Sequence, residues 1–168
     1  DWFLLNSNKN EKKIKKTFLP FYSNKGIPKS SLNTVVHFEY NNIQSLEKIL
    51  ASDKQIGTIK MEVLRNEYPK NNFLQKVKNL SQKYNKVLIF DECTTGFRQS
   101  LGGIYKKYNV EPDILILGKA LGNGYPITSV IGRNEIMSLK KKTFISSTFW
   151  TDRIGPAGAL ETLDIMER

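Results

Sequence analysis

The sequence predicts an α/β fold with a mainly parallel sheet and flanking helices. Short apolar, β-branched runs alternate along the chain with stretches of helical periodicity. The run "KVLIF" (86–90) is continuously apolar, which is typical of a strand that is covered on both faces. This alternation favours parallel strands joined by helical crossovers, and 168 residues are enough for one domain with a real core.

The predicted strands are short and end at turn residues. Each combines β-branched or aliphatic side chains with a Gly, Asn or charged residue within two positions of its end. We predict strands at 33–40 ("NTVVHFEY"), 56–63 ("IGTIKMEV"), 86–90, 113–118 ("DILILG") and 127–132 ("ITSVIG").

The predicted helices are recognised by their apolar spacing. In "NNIQSLEKILAS" (41–52), Ile43 and Leu46 begin a helical stripe, with Asn41 or Asn42 as the N-cap. Phe73 and Val77 begin a similar stripe that runs to Tyr84. We predict further helices at 102–108 ("GGIYKKY"), 133–141 ("RNEIMSLKK") and 155–168 ("GPAGALETLDIMER").

The chain is expected to be one core domain with an irregular segment in front of it. Residues 1–30 are basic and punctuated by Pro20, Gly26 and Pro28, so we expect them to be irregular and to lead into a domain over 31–168. The first residue is Asp1 and the last lies inside a predicted helix. We therefore expect a domain that is truncated at both ends.

Composition excludes several classes of protein. The net charge of +10 comes mainly from 21 Lys, which suggests nucleic-acid binding as one interpretation. The lysines are dispersed, however, and the densest cluster, "NKNEKKIKK" (8–16), has no interleaved aromatic residues. We therefore interpret the lysines as a solvated surface and expect no nucleic-acid partner. No apolar run reaches the roughly 18 residues of a membrane span, so we expect no membrane partner. A single Cys suits a reducing compartment, so we predict a cytoplasmic protein.

Two strand ends carry charged residues that suggest chemistry. Asp91 follows "VLIF", and Lys119 follows "DILILG" 28 positions later. Ligands of parallel sheets bind at the carboxyl ends of strands, where both residues are expected. Cys93 should share a face with Asp91, because side chains alternate along a strand. A strand-exit turn at Lys119 and an acidic metal-binding strand end at Asp91 are open alternatives.

One cofactor would use a carboxylate and an amine in this arrangement. A lysine held in a partly apolar pocket has a lowered pKa and becomes nucleophilic toward carbonyls. A lysine Schiff base to pyridoxal phosphate needs an acidic partner that keeps the pyridine nitrogen protonated, and Asp91 suits that role. Gly118, Gly122 and Gly124 would let the backbone approach a bulky group closely.

These segments resemble the signature of class III pyridoxal-phosphate aminotransferases. The resemblance is carried by "LIFDECTTGFR" (88–98) and "EPDILILGKALGNGYPITSVIG" (111–132). Within the family, "TTGFRQSLGG" (94–103) and "LGNGYPITSVIGR" (121–133) are most similar to the glutamate-1-semialdehyde 2,1-aminomutase branch. The resemblance implies part of the large domain of a fold-type-I pyridoxal-phosphate-dependent transferase, with the phosphate cup and the ring-stacking aromatic residue before residue 1.

The resemblance also implies roles for five residues. Lys119 is the catalytic lysine that forms the Schiff base, and Asp91 is the partner of the pyridine nitrogen. Cys93 replaces the usual Val or Ile against the ring. Thr148, in "ISSTFW" (145–150), matches a threonine that binds the cofactor phosphate across a dimer interface, and Glu62 matches a glutamate near the substrate side of the ring.

The implied function is an aminotransferase that acts on a small amino or oxo substrate through a Lys119 Schiff base, in a homodimer with shared active sites. The alternative is a glutamate-1-semialdehyde-type aminomutase, in which the amino group returns to the same molecule. A non-catalytic remnant and a basic nucleic-acid-binding domain rank below both.

Overall fold

The computed structural model describes residues 28–31 and 34–168. The chain divides into two compact units, Asp1–Asp53 and Lys54–Arg168. In the described part of the first unit, Lys29–Ser31 form a short 3-10 helix and Ile43–Ser52 form helix α1. The predicted irregular segment 1–30 otherwise lies outside the described residues.

Helix α1 begins where the sequence predicts it. The side-chain oxygen of Asn42 accepts a hydrogen bond of 3.0 Å from the backbone N–H of Ser45, so Asn42 is the N-cap. Leu46 and Leu50 are each only 2% exposed and form the buried stripe of the helix. This helix confirms the predicted apolar spacing.

The strand predicted over 33–40 is wrong within the described residues. Residues 34–39 have no regular secondary structure, and Tyr40 and Asn41 form a turn. The side chain of Thr34 donates a 2.7 Å hydrogen bond to the carbonyl of Ser31, a local bond that competes with strand pairing. A β-branched run favours a strand only where a neighbouring strand pairs with it.

The second unit contains a four-stranded sheet. Its strands are β1 (Thr58–Glu62), β2 (Val87–Asp91), β3 (Ile114–Leu117) and β4 (Ser129–Gly132), in that spatial order. The β1–β2 and β2–β3 pairs are parallel, and β4 is antiparallel to β3. The sheet is therefore mainly parallel, as predicted.

Helices and 3-10 turns connect these strands. Helix α2 (Phe73–Lys83) joins β1 to β2, and a 3-10 helix (Ile104–Tyr108) lies between β2 and β3. A second 3-10 turn follows β3 immediately. The remaining elements are this turn (Lys119–Leu121), α3 (Asn134–Met137), the 3-10 helix Ser138–Lys142 and α4 (Ile154–Glu167). In the described ranges, no helix is long and apolar enough to cross a membrane.

One face of the sheet is buried over β1, β2 and β3, whereas Ile131 of β4 on the same face is 53% exposed. Leu88 and Phe90 of β2 are 0% exposed, and α2, whose Val77 is also fully buried, packs against this strand. Val87, Ile89 and Asp91 point to the opposite face and are only half-buried. The prediction that this strand is buried on both faces is therefore wrong in this structure, because α2 covers only one side of it. The less buried face is free to carry polar side chains.

Asp113 ties the opposite end of the sheet together. Its Oδ2 accepts a 2.8 Å hydrogen bond from the N–H of Leu88, and its Oδ1 lies 3.2 Å from Lys78 Nζ and 3.1 Å from Arg133. Burial opposes ionisation of this carboxyl, but the Leu88 hydrogen bond and the two cations outweigh it and hold the pKa of Asp113 below its usual range. One side chain thereby links α2, β2, β3 and the residue after β4.

Candidate active site

Asp91 is the last residue of β2, at the carboxyl end of a parallel strand. Its Oδ1 accepts a 3.1 Å hydrogen bond from the backbone N–H of Cys93, and its Oδ2 lies 2.9 Å from Lys60 Nζ. The side chain is 21% exposed, so the carboxylate is reachable although both of its oxygens are bonded. A carboxylate oxygen accepts more than one hydrogen bond, which leaves capacity for a further donor.

Glu62 ends β1 and lies beside Asp91. The two residues are register partners in the parallel β1–β2 pair, so their side chains project to the same face. Glu62 Oε1 accepts a 2.9 Å hydrogen bond from Arg65. Its other oxygen, Oε2, is buried and has no hydrogen-bond partner in the described part of the chain. The predicted site residues Asp91 and Glu62 are thus neighbours.

Lys119 follows β3, the strand next to β2. It begins the 3-10 turn after Gly118, and its φ of 45° lies in the left-handed region that residues with a side chain seldom adopt. Its Nζ donates a 2.7 Å hydrogen bond to Thr94 Oγ1. The side chain of Lys119 is exposed. The turn directs the amine outward, toward the loop that follows β2.

Cys93 connects the carboxylate and the lysine. Its backbone N–H binds Asp91, and its Sγ would lie 2.8 Å from a Cβ placed on Gly118. Only glycine therefore fits at position 118 without a shift of the thiol, and Gly118 directly precedes Lys119. The predicted constellation of Asp91, Cys93 and Lys119 is joined by these successive contacts.

An open cavity of about 490 Å³ lies beside Lys119. Arg98 lines it too, and its Nε donates a 2.7 Å hydrogen bond to the carbonyl of Thr94, the residue whose hydroxyl binds Lys119. The contact of Arg98 is thus with the backbone rather than with a carboxylate. The other lining residues are Ala120, Asn123, Gly124, Tyr125 and Pro126.

Glu92 is a structural residue of the site that the sequence reasoning did not single out. Its side chain is 0% exposed. Its carboxylate accepts hydrogen bonds from the N–H of Ile104 (2.7 Å), the N–H of Tyr105 (2.8 Å) and the hydroxyl of Thr95 (2.8 Å). These bonds close the loop between β2 and the following 3-10 helix, and this loop carries Thr94 and Arg98. An acidic residue directly after the "LIFD" strand end was the available signal.

Thr148 lies apart from these contacts. It is exposed and belongs to a turn over 148–151 that precedes α4. Among the described residues it makes no hydrogen bond to Asp91 or Lys119. The structure therefore brings together Asp91, Cys93 and Glu62, links them through Gly118 to Lys119, and leaves Thr148 outside this group.

Comparisons with known proteins give the family. Residues 2–168 match the family model of the class-III aminotransferases. Over 149 residues, the chain is 39% identical to the glutamate-1-semialdehyde 2,1-aminomutase of Sulfolobus acidocaldarius, covering 85% of this chain and 36% of that relative. It is 38% identical over 151 residues to the 3-aminobutyryl-CoA aminotransferase of Cloacimonas acidaminovorans, again covering 85% and 36%. The chain thus spans about a third of the length of these relatives.

Solved structures agree with this result. The FumI protein of Sphingopyxis sp. MTA144, solved in its PLP internal aldimine form, superposes with a TM-score of 0.79 at 27% identity, covering 85% of this chain and 36% of that one. The acetylornithine aminotransferase of Elizabethkingia anophelis gives a TM-score of 0.72 at 34% identity, with coverages of 79% and 35%. Both structures confirm the prediction that the chain has the fold of fold-type-I pyridoxal-phosphate-dependent transferases.

The residues present fit pyridoxal phosphate. A carboxylate suits the protonated pyridine nitrogen, an exposed primary amine suits the aldehyde carbon, and the 490 Å³ cavity adjoins that amine. The family match and the PLP-bound neighbour support pyridoxal phosphate as the cofactor and confirm that prediction. The chain belongs to the class-III aminotransferase family, a family of enzymes.

Proposed function

We propose that this class-III aminotransferase chain is the catalytic core of an enzyme that moves an amino group between small amino and oxo compounds. The observation that carries the proposal is the position of Asp91 and Lys119 after two adjacent parallel strands, coupled through the contact of Cys93 with Gly118. Carboxyl ends of parallel strands are the usual place for ligands on such sheets.

Two residues carry the chemistry in this proposal. When bound, pyridoxal phosphate supplies an aldehyde carbon for amines and an electron-withdrawing ring. Asp91 would keep a proton on the ring nitrogen by accepting a hydrogen bond from it. Each carboxylate oxygen has a lone pair left for this bond beside its contact with Lys60 or the Cys93 N–H. Lys119 would hold the cofactor through Nζ, and the free Nζ of Lys119 would move a proton to and from the substrate carbon. The exposure of Lys119 and its bond to the Thr94 hydroxyl keep the amine accessible.

Further residues complete the proposed site. We assign Cys93 to the face of the ring, Glu62 to the substrate side, and Thr148 to the cofactor phosphate of a second subunit in a homodimer with shared active sites. The exposed turn that contains Thr148 supports this assignment, because it is available to a partner. The proposal also keeps residues 31–168 as a cofactor-binding core that follows residues 1–30, in a cytoplasmic enzyme.

A second candidate function is intramolecular amino transfer, as in an aminomutase. Two of the relatives with the highest identity, from Sulfolobus acidocaldarius and Sulfurisphaera tokodaii, are glutamate-1-semialdehyde 2,1-aminomutases at 39% and 38% identity. The 3-aminobutyryl-CoA aminotransferase at 38% supports transfer between molecules instead. Incubation with a single substrate distinguishes the two. An aminomutase converts it to its isomer without a second compound, whereas an aminotransferase needs a separate oxo acceptor and yields two products.

The experiment that tests the cofactor lysine is a titration with pyridoxal phosphate. We expect the purified protein to form an absorbing adduct that borohydride fixes on Lys119, as peptide mass spectrometry would locate. The variant Lys119→Ala should form none. Lys76→Ala, which changes an exposed lysine on α2, is the matched control and should behave as the wild type. An adduct that persists in Lys119→Ala, or that is fixed mainly on other lysines, would contradict the proposal.

A further inference from the structure

Thr94 and Lys119 meet because two neighbouring strands end side by side. Asp91 of β2 and Ile116 of β3 are register partners, and Thr94 and Lys119 lie three positions after them, respectively. The Nζ of Lys119 donates a 2.7 Å hydrogen bond to Thr94 Oγ1. Parallel strands bring their carboxyl ends to one edge of a sheet. The bond therefore joins the two segments that leave this edge, one of which carries the proposed cofactor lysine.

The backbone around Thr94 is held by several hydrogen bonds. The N–H of Gly96 donates a 2.7 Å bond to the carbonyl of Glu92, which closes a tight turn around Thr94. The buried side chain of Glu92 accepts three further bonds within the same loop. The carbonyl of Thr94 accepts a 2.7 Å bond from Arg98 Nε. Because a β-branched side chain has few χ1 rotamers, a fixed backbone gives the Thr94 hydroxyl a defined direction.

The backbone of Lys119 is held as well, but its side chain is not. The carbonyl of Lys119 accepts hydrogen bonds from the N–H groups of Gly122 (3.1 Å) and Asn123 (3.2 Å). The side chain is exposed and has a flexible four-carbon stem, so a fixed backbone alone leaves many positions open to the amine. The contact with Thr94 selects one of these positions.

The group that accepts the bond from the amine is a neutral hydroxyl. Among the described residues Lys119 forms no ion pair, and the carboxylate of Asp91 lies against Lys60 Nζ instead. A hydroxyl oxygen accepts an N–H of the amine without the stronger attraction of a carboxylate. Such a contact breaks readily when the amine bonds to a carbonyl carbon, and it forms again when the amine is released.

We propose that Thr94 is a positioning residue for Lys119, whose hydroxyl holds the free Nζ beside the cavity whenever that amine is not bound to the cofactor. The inference rests on the proposed function of Lys119, because the position of the amine matters for chemistry only if the amine reacts. Each reaction of Nζ with an aldehyde, and each proton transfer by Nζ, then starts from one defined position at the cavity. Thr94 does not need to touch the cofactor.

The first test needs no cofactor. In cofactor-free protein labelled with ¹³C at the lysine ε-carbons, NMR relaxation measures how restricted each lysine side chain is, and Lys119→Arg identifies the signal of Lys119. We expect Lys119 to be more restricted than the exposed Lys76. Thr94→Val should remove this difference, and Thr94→Ser, which keeps the hydroxyl, should retain it. Thr58→Val, which removes the hydroxyl of an exposed threonine on β1, is the matched control and should leave the difference unchanged.

The second test measures the reaction of the amine. Stopped-flow absorbance with pyridoxal phosphate gives the rate constant of adduct formation on Lys119. Binding of pyridoxine phosphate, which has no aldehyde, probes the same site without that reaction. Because one exposed hydrogen bond is lost, Thr94→Val should slow adduct formation by roughly 2- to 10-fold. Thr94→Ser should react nearly as fast as the wild type, and both variants should bind pyridoxine phosphate as the wild type does.

Three results would overturn the inference. They are a Lys119 side chain as mobile as Lys76 in the wild type, a relaxation or reaction rate that Thr94→Val leaves unchanged, and a loss of pyridoxine phosphate affinity as large as the loss of rate. Thr94→Ala replaces Thr94→Val if that variant does not fold. If the wild type forms no adduct on Lys119, the proposed function fails, and the relaxation measurement still decides whether Thr94 holds the amine.

Discussion

The contact between Cys93 and Gly118 predicts a specific stability coupling. A Cβ added at Gly118 would lie 2.8 Å from Cys93 Sγ, about 0.6 Å short of the 3.4 Å at which ordinary contact begins, and 3.3 Å from Thr128 Cγ2. Overpacking of this kind costs about 1–3 kcal/mol, while replacing glycine stabilises the fold by about 0.4–1 kcal/mol through the unfolded chain. We therefore expect Gly118→Ala to lower the free energy of unfolding by about 1–2 kcal/mol.

Removing the thiol should relieve this strain. Cys93→Ala leaves space for the new methyl group, so the double variant Gly118→Ala/Cys93→Ala should be within about 0.5 kcal/mol of Cys93→Ala alone. Urea unfolding followed by circular dichroism measures all four free energies. The control is Gly57→Ala, because a Cβ at Gly57 meets nothing within 4 Å and the fold should be unchanged or slightly stabilised.

Additive losses in the double variant would refute the reasoning. They would mean that the clash of the new methyl group lies elsewhere, for instance with Thr128, or that the loop at Gly118 moves as a unit. A destabilisation by Gly57→Ala as large as that by Gly118→Ala would equally remove the steric explanation, because it would show a general cost of replacing glycine in this unit.

Two further predictions concern Asp113 and Lys119. The pKa of Asp113 is lowered in the fold, so its contribution to stability is fully present above the unfolded value of about 3.9 and is lost as the pH falls through the folded value. Asp113→Asn should therefore lower the free energy of unfolding by about 1–3 kcal/mol at pH 7. Urea unfolding at decreasing pH should show this difference shrinking below about pH 4. A difference that stays constant down to pH 2 would contradict a lowered pKa of Asp113. At Lys119, whose φ is 45°, Lys119→Gly should be more stable than Lys119→Ala by about 0.5–1 kcal/mol by thermal or urea unfolding, since glycine adopts the left-handed region without strain. Equal stability of these two variants would show that the backbone relaxes there.

Elements with strong local signals were predictable from the sequence. Helix α1 carries both an asparagine cap and a stripe of apolar residues, and α2 carries the stripe from Phe73. The central strands β2 and β3 are short apolar runs, and the site lies at their ends. Asp91 and Lys119 are therefore recognisable as a pair from the sequence, because parallel strands in sequence order bring successive carboxyl ends to the same edge.

The strand predicted around Val35 and Val36 shows the limit of local signals. Its β-branched residues match the composition of a strand, but pairing depends on a partner that the local sequence does not specify, and residues 34–39 form no strand. The role of Glu92 was hidden for a similar reason. Its three hydrogen bonds reach residues 3–13 positions away, along a loop whose path only the folded chain defines.

The sequence by itself determined the mainly parallel α/β architecture, the family and the two charged strand ends, because periodicity and motif spacing are properties of residues near one another in the chain. The tertiary structure decided which residues lie beside Asp91. Lys60, which pairs with its carboxylate, and Glu62, its register partner, come from a strand about 30 positions earlier and lie there only through the register of β1 on β2. Register is set by packing across the sheet, since a slip of one residue would send Glu62 to the buried face and separate it from Asp91.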